Sequence, residues 1–320
     1  MLMRRVLPIL FLQSLSSAVW QGRILEPNDA ARHSSLGAPM AYLLGGQKCG
    51  SSSLFKMLKD YWTADELCSG HELGDEPTFF RKEKHFWSSM KNTSEAESNF
   101  EFYMQHFDTC PGSSLLIDGT PNYLCETSSH GNVPQMIREI YEKRGIDYTK
   151  LRFAAILRNP VHRAVSYYGH GIRQGWSEVT DKTWEEVVDA DILSFKDAVK
   201  QDENMIPGTV CRSLQGGLYE VQLRHWFKHF DPSQFLIVTF QQFLKEPAGT
   251  TNAVAKHFGL SQHNIVGNAD KVNTGEYKRP TVTSKEAEFF EPHQEALFRL
   301  KKKYPSSFYE TSNNKFVFAS

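Results

Sequence analysis

The sequence predicts an α/β fold in which a parallel β-sheet is flanked by helices. Three observations lead there. Short apolar runs ending in glycine or polar turns recur at 38–46, 113–118, 153–157 and 235–244. Segments with helical apolar spacing alternate with them, as in units whose parallel strands are joined by crossover helices. No internal repeat or low-complexity tract divides the 320 residues, so one domain over 40–310 accounts for them.

In chain order, "APMAYLLGG" (38–46) reads as a strand ending in a double glycine, and "SSSLFKMLKDYW" (51–62) as a helix with Leu54, Phe55 and Leu58 on one face. The first unit is therefore strand, glycine loop, helix. "SSLLIDGTPNYL" (113–124) repeats the strand and polar turn. In "LRFAAILRNPVHRAVSYYGH" (151–170), Phe153 to Leu157 form a buried strand, Arg158 ends it, and Pro160 opens a helix at a position proline tolerates. Residues 171–216, rich in charge and tryptophan, read as an inserted helical region over the site. "GLYEVQLRHWFKHF" (217–230) is an amphipathic helix with Tyr219, Leu223, Trp226, Phe227 and Phe230 on one side. A strand (235–244), the helix "TTNAVAKHFGL" (250–260), a basic loop and a C-terminal helix complete the chain.

The charges exclude a global nucleic-acid surface: 36 Lys and Arg balance 37 Asp and Glu, so any anion site is local. "MLMRR" followed by a fifteen-residue apolar run suits a signal peptide or short signal anchor over 1–22, with a stem or linker over 23–39. Of the five cysteines, Cys110 and Cys125 flank a short segment and are candidates to pair. Cys68 and Cys211 have no evident partner, and Cys49 is expected to be free. Asn92 begins a glycosylation sequon, Asn-Thr-Ser. No spacing of Cys and His suggests a metal.

The chemistry starts at "GGQKCGSSS" (45–53). A Walker A loop places four residues between its glycines and then Gly-Lys-Ser/Thr. Here Lys48 precedes Gly50, and Ser51, Ser52 and Ser53 follow. A helix N-terminus gathers N–H donors and positive potential, so Gly50, Ser51 and Ser52 face an anion. Arg158 and Ser166, one at a strand end and one in the following helix, can reach a single phosphate at the carboxyl end of the sheet.

These motifs, with "RKEKHFW" (81–87) and "GLYEVQLRHWFKHFDPSQFLIV" (217–238), occur in one order over roughly 40–305. Together they resemble the sulfotransferase family, and within it the Golgi carbohydrate branch that includes heparan sulfate sulfotransferases. The resemblance implies a P-loop-like three-layer fold, with 3′-phosphoadenosine 5′-phosphosulfate as the donor and no metal. It also implies a glycan or small hydroxylated acceptor rather than nucleic acid. The location it implies is the Golgi lumen, as a type II membrane protein or a soluble protein of the secretory pathway. Lys48, Cys49, Gly50, Ser51 and Ser52 would cradle the 5′-phosphosulfate, with Lys48 at the bridging oxygen and no role assigned to the Cys49 side chain. Arg158 and Ser166 would hold the 3′-phosphate. Tyr219 falls in the motif set of the donor site, and "GEYKRP" (275–280) resembles the loop that closes over the nucleotide through Lys278 and Arg279. One departure is "DGTPNY", where heparan-type enzymes usually carry a lysine in place of Gly119.

By the same resemblance Glu83 is the general base and His85 hydrogen-bonds the transferring group. On an extended segment residues 83 and 85 share a side, and Lys82 is expected opposite unless the chain bends. An unperturbed glutamate has a pKa of about 4.3, so burial is expected to raise it. His85 is the alternative base, its imidazole lying nearer neutral pH. Two other functions remain open at this level: a P-loop kinase using ATP, and an inactive sulfotransferase-like binding protein.

Overall fold

The computed structural model describes residues 37–71, 82–127, 132–201, 210–267 and 278–318. Five parallel strands form the centre: β1 (Ala41–Gly45), β2 (Leu67–Cys68), β3 (Leu115–Asp118), β4 (Arg152–Leu157) and β5 (Phe235–Thr239), in the order β2-β3-β1-β4-β5. Every residue of β1 and all but the first of β4 are buried. That explains why these strands read as unbroken apolar runs rather than alternating ones: helices cover both faces of the sheet.

The helices are α1 (Ser51–Tyr61), α2 (Phe86–Ser89), α3 (Thr93–Ser98), α4 (Phe100–Gln105), α5 (Val133–Lys143), α6 (Pro160–Gln174), α7 (Trp184–Gln201), α8 (Tyr219–Trp226), α9 (Phe240–Lys245), α10 (Pro247–His257) and α11 (Ser284–Lys303). The expected α/β architecture is therefore the observed one. The apolar face of α8 lands where its spacing predicts. Trp226 meets Phe153 of β4 edge-on at 5.2 Å, and Phe153 stacks on Phe235 of β5 at 4.8 Å.

Two boundaries differ from expectation. The strand predicted to reach 244 stops at Thr239, because Thr239 and Gln242 cap each other and start α9: the Gln242 amide donates to Thr239 Oγ1 at 3.1 Å and the Thr239 amide to Gln242 Oε1 at 2.8 Å. The amphipathic helix starts only at Tyr219, since Gln215–Gly217 winds as a 3₁₀ turn. The stretch 171–216 contributes α7, which packs Trp184 and Val188 with Ala164, Leu218 and Phe290 in a second small core beside α6.

The cysteine pairing is corrected. Cys110 joins Cys68 and Cys125 joins Cys211, at Cα separations of 5.8 and 5.3 Å. Short spacing suggested Cys110 with Cys125, but β3 lies between them and carries them to different regions. Cys68 ends the edge strand beside β3, and Cys211 approaches from the far side of the inserted region. Cys49 is free and buried, as expected. The leader and most of the stem (1–36) lie outside the described residues. Among those described, no helix is long and apolar enough to cross a membrane.

Candidate active site

The strand order reverses at β1, which has β3 on one side and β4 on the other, and the turns after these three strands meet at their carboxyl ends. Open parallel sheets bind ligands at such a point. The turn after β1 is tight: the Gly46 amide still donates to Ile156 O of β4 at 2.7 Å, and the Cys49 amide donates to Gly46 O at 3.1 Å. Lys48 and Gly50 both have positive φ, 66° and 94°. Gly50 is required twice over, because a Cβ there would also stand 2.6 Å from the Phe240 ring. As the N-cap of α1 it offers no side chain, so no side chain caps this helix end. An uncapped, largely buried N-terminus fits an anionic group.

The second wall is the segment 82–87, held by a buried network. Asp118 at the end of β3 is fully enclosed; Oδ1 accepts from the Thr120 hydroxyl (2.6 Å) and amide (3.0 Å), and Oδ2 from the hydroxyls of Tyr103 (2.9 Å) and Tyr123 (3.0 Å). Thr120 Oγ1 in turn accepts from the amides of Lys84 (2.8 Å) and His85 (3.1 Å). His85 has a φ of 53°, so the chain bends where an extended segment was expected. Glu83 and His85 do face one cleft, Oε2 to Nε2 at 3.1 Å. The placement of Lys82 is the correction: its Nζ lies 3.2 Å from Glu83 Oε1 and 3.0 Å from Ser51 Oγ, with the side chain fully buried.

Glu83 therefore has a cation on each oxygen. Burial pushes its pKa up, but Lys82 and His85 outweigh burial and hold it at about 2, opposite to the expected direction. His85 is pulled down by burial and pushed up more strongly by Glu83, ending above the ordinary imidazole value. Lys48 is lowered to about 8 by burial, then by the charges of Arg173 and Arg163, against the pull of Glu83. His170 of α6 is lowered to about 4 by burial and by Lys48 and Arg173. Lys48, Arg173 and Glu83 thus all act on His170, and Arg173 Nη2 lies 3.3 Å from His170 Nδ1.

Arg158 follows β4 directly. Its guanidinium donates to Lys48 O at 3.3 Å and lies over the Phe240 ring at 5.2 Å. Ser166 lies half-buried on α6. Burial, Arg158 and Arg279 depress His162 on the same helix. Lys278 is exposed, and residues 275–277 of its loop lie outside the described residues. Tyr219 and Cys49 form the floor of the loop: the Tyr219 hydroxyl donates to Arg158 O at 2.9 Å and sits 3.4 Å from Cys49 Sγ. Both act from beneath, fixing the backbone of Arg158 and of the glycine loop.

Sequence reasoning missed three contributors. Arg163, fully buried on α6, donates from Nε to Gln47 O (3.0 Å) and from Nη1 to Arg212 O (2.6 Å) and Ser213 O (2.8 Å), tying the glycine loop to the segment before α8. Its signal was an arginine on the apolar face of a helix. Asp118 with Thr120, and Lys82, are the others; a carboxylate ending an apolar strand was visible in "LLIDGT". Thr120→Val removes the acceptor of two buried amides, which costs about 2 kcal/mol of stability. It should also lower kcat while leaving nucleotide affinity near that of the unaltered protein, measured by denaturant titration and calorimetry.

The glycine loop on its uncapped helix end, the cations beside it and the carboxylate–imidazole pair thus lie together at the carboxyl ends of β1, β3 and β4. The sulfotransferase domain model matches residues 42–299, and the chain belongs to the sulfotransferase family. Its relatives include heparan sulfate glucosamine 3-O-sulfotransferase 3B1 of Mus musculus, 22% identical over 225 residues, covering 70% of this chain and 47% of that protein. Another is the bifunctional heparan sulfate N-deacetylase/N-sulfotransferase 2 of Bos taurus, 22% identical over 254 residues, covering 77% and 25%. The chain thus spans about half or less of the length of these relatives. A sulfotransferase from Alicyclobacillus acidocaldarius superposes with a TM-score of 0.54 at 20% identity over 84% of this chain and 97% of that one, a likeness of fold.

Proposed function

We propose that the protein transfers a sulfuryl group from 3′-phosphoadenosine 5′-phosphosulfate to a hydroxyl or amine of a carbohydrate. The observation that carries this is the meeting of the glycine loop that bears Lys48 with the Glu83–His85 pair, joined by Lys82 Nζ at 3.0 Å from Ser51 Oγ and 3.2 Å from Glu83 Oε1. When bound, the donor supplies an activated sulfuryl group whose loss leaves charge on a phosphate oxygen. Lys48 stabilises that charge, as preorganised cations do in phosphoryl transfer. Arg158, Ser166 and Arg279 hold the 3′-phosphate, and Ser51 and Ser52 the 5′ end. Glu83 accepts the proton of the acceptor hydroxyl late in transfer, when that proton has become acidic enough for a weak base. His85, protonated, keeps Glu83 oriented and donates to the transferring group.

A glycan acceptor is supported by the heparan sulfate relatives and by Arg173, whose charge adds to that of Lys48, so that an acidic sugar would meet positive charge there. A secretory location is supported by two disulfides and by the exposed Asn92 of the sequon. Transfer of labelled sulfate to a panel of glycans and small alcohols tests the reaction. A labelled glycan is the expected product. Stabilisation by ATP in preference to 3′-phosphoadenosine 5′-phosphate would favour a kinase. Nucleotide binding with no labelled product from any acceptor would favour a binding protein.

A further inference from the structure

Lys82 is a fully buried ammonium in an unusual place. Its stem crosses Gly119, whose amide donates to Lys82 O at 2.8 Å. A Cβ on Gly119 would stand 2.6 Å from Lys82 Cγ and 3.1 Å from the Phe55 ring, so position 119 is empty because Lys82 fills the space. The ammonium ends 3.0 Å from Ser51 Oγ, 3.5 Å from Ser52 Oγ and 3.2 Å from Glu83 Oε1.

This arrangement is poor as a device for stability. Ser51 and Ser52 open α1, and a helix N-terminus repels a cation. A buried ion pair adds little net stability compared with an apolar pair of the same shape. Burial depresses the lysine, and Glu83 only partly restores it. Arg158 and Lys48 add positive charge to the same turn. A cluster with this excess is completed by an anion lying on the end of α1.

Resting on the sulfotransferase reading above, we propose that Lys82 is a second donor-site cation: from beneath Ser51 and Ser52, whose hydroxyls accept from it, its charge stabilises the 5′ anionic end of the nucleotide, the stem crossing Gly119 from the segment that carries the base. Where heparan-type relatives usually place a lysine at the position of Gly119, the amine here comes from the facing chain. One side chain thus touches both the donor loop and Glu83, coupling donor binding to the orientation of the base.

The test is calorimetric binding of 3′-phosphoadenosine 5′-phosphate to the unaltered protein, Lys82→Met and Gly119→Ala, with melting temperatures. Lys82→Met keeps the stem and deletes the charge. Its affinity should fall about tenfold to a hundredfold, the effect of losing one unit charge close to a partly buried anion. Its melting temperature falls as well, because Glu83 is left with one cation fewer, so affinity is the deciding readout: a merely structural lysine would leave the affinity of the folded variant unchanged. Gly119→Ala keeps the charge but displaces the stem and should lose affinity in the same direction; it decides the matter if Lys82→Met does not fold. Normal affinity in a folded Lys82→Met, or failing that in Gly119→Ala, overturns the role of Lys82 alone. Failure of the unaltered protein to bind the nucleotide overturns the sulfotransferase reading and this proposal together.

Discussion

Glu83→Gln lowers kcat for sulfuryl transfer by about a hundredfold to ten-thousandfold, the range for removing a general base, and leaves nucleotide affinity within a few-fold. The amide keeps the shape and can still accept from Lys82, so the loop remains in place. It cannot take the acceptor proton. On the proposed mechanism, in which the imidazole orients Glu83 and does not take the proton, His85→Asn should cost less. The pH profile separates the two candidates. A carboxylate held at about 2 is ionised throughout the neutral range. With Glu83 as base, kcat/KM stays high on the acid side well below pH 6. With His85 as base, activity would instead rise through the elevated imidazole pKa, and near-normal turnover in Glu83→Gln together with loss in His85→Asn would reverse the assignment.

Lys48 sets the other side of the profile. In the resting protein its pKa is lowered to about 8, chiefly by burial and then by Arg173 and Arg163. An anion in the loop favours the charged amine, so binding near pH 8 takes up a proton. Nucleotide affinity should therefore be flat near pH 7 and fall toward tenfold per unit above pH 8. Calorimetry in buffers of different ionisation enthalpy reads the proton uptake directly. The unfolded chain holds this proton up to its ordinary pKa, so between the two values the unfolded state binds more protons and fold stability rises with pH while binding is lost. Lys48→Met should abolish the pH dependence of binding, lower kcat by two orders of magnitude or more, as for losing a preorganised charge stabiliser, and hold or raise the melting temperature. A Lys48→Met protein that still took up a proton on binding would assign the titration to another group.

Much of this could be read in the residues. The strand–loop–helix unit at 38–62 was legible because buried strands and an N-terminal turn leave strong local patterns, and Arg158 because it ends such a strand. Glu83 and His85 were placed in one cleft by alternation, and they do meet, but through a left-handed residue and the Thr120 anchor rather than through an extended chain. Lys82 was hidden because its ammonium turns to Glu83 Oε1 and to Ser51 Oγ of a distant helix, partners that alternation along a strand does not place. The direction of the Glu83 shift was missed for the same reason: burial was foreseeable, and the two cations facing it were not. Arg163 could be noticed as an arginine on an apolar helix face, but its role could not be read, because its partners are carbonyl oxygens of residues 47, 212 and 213, contacts made by the backbone of distant segments.

The bridge between Cys125 and Cys211 gives these contacts a dependence of their own. It joins residues 86 apart, anchoring the turn after β3 to the strip of chain whose carbonyls Arg163 grips. Arg163 then reaches from that strip to the glycine loop. Opening this bridge releases the outer end of a three-part chain of contacts whose inner end is the donor cradle. On the proposed function, the redox state of the surroundings would act on nucleotide binding at one remove, through a guanidinium that carries no redox chemistry itself. Protein made where thiols stay reduced would keep its sheet and every catalytic side chain, yet hold its donor loop from one side only.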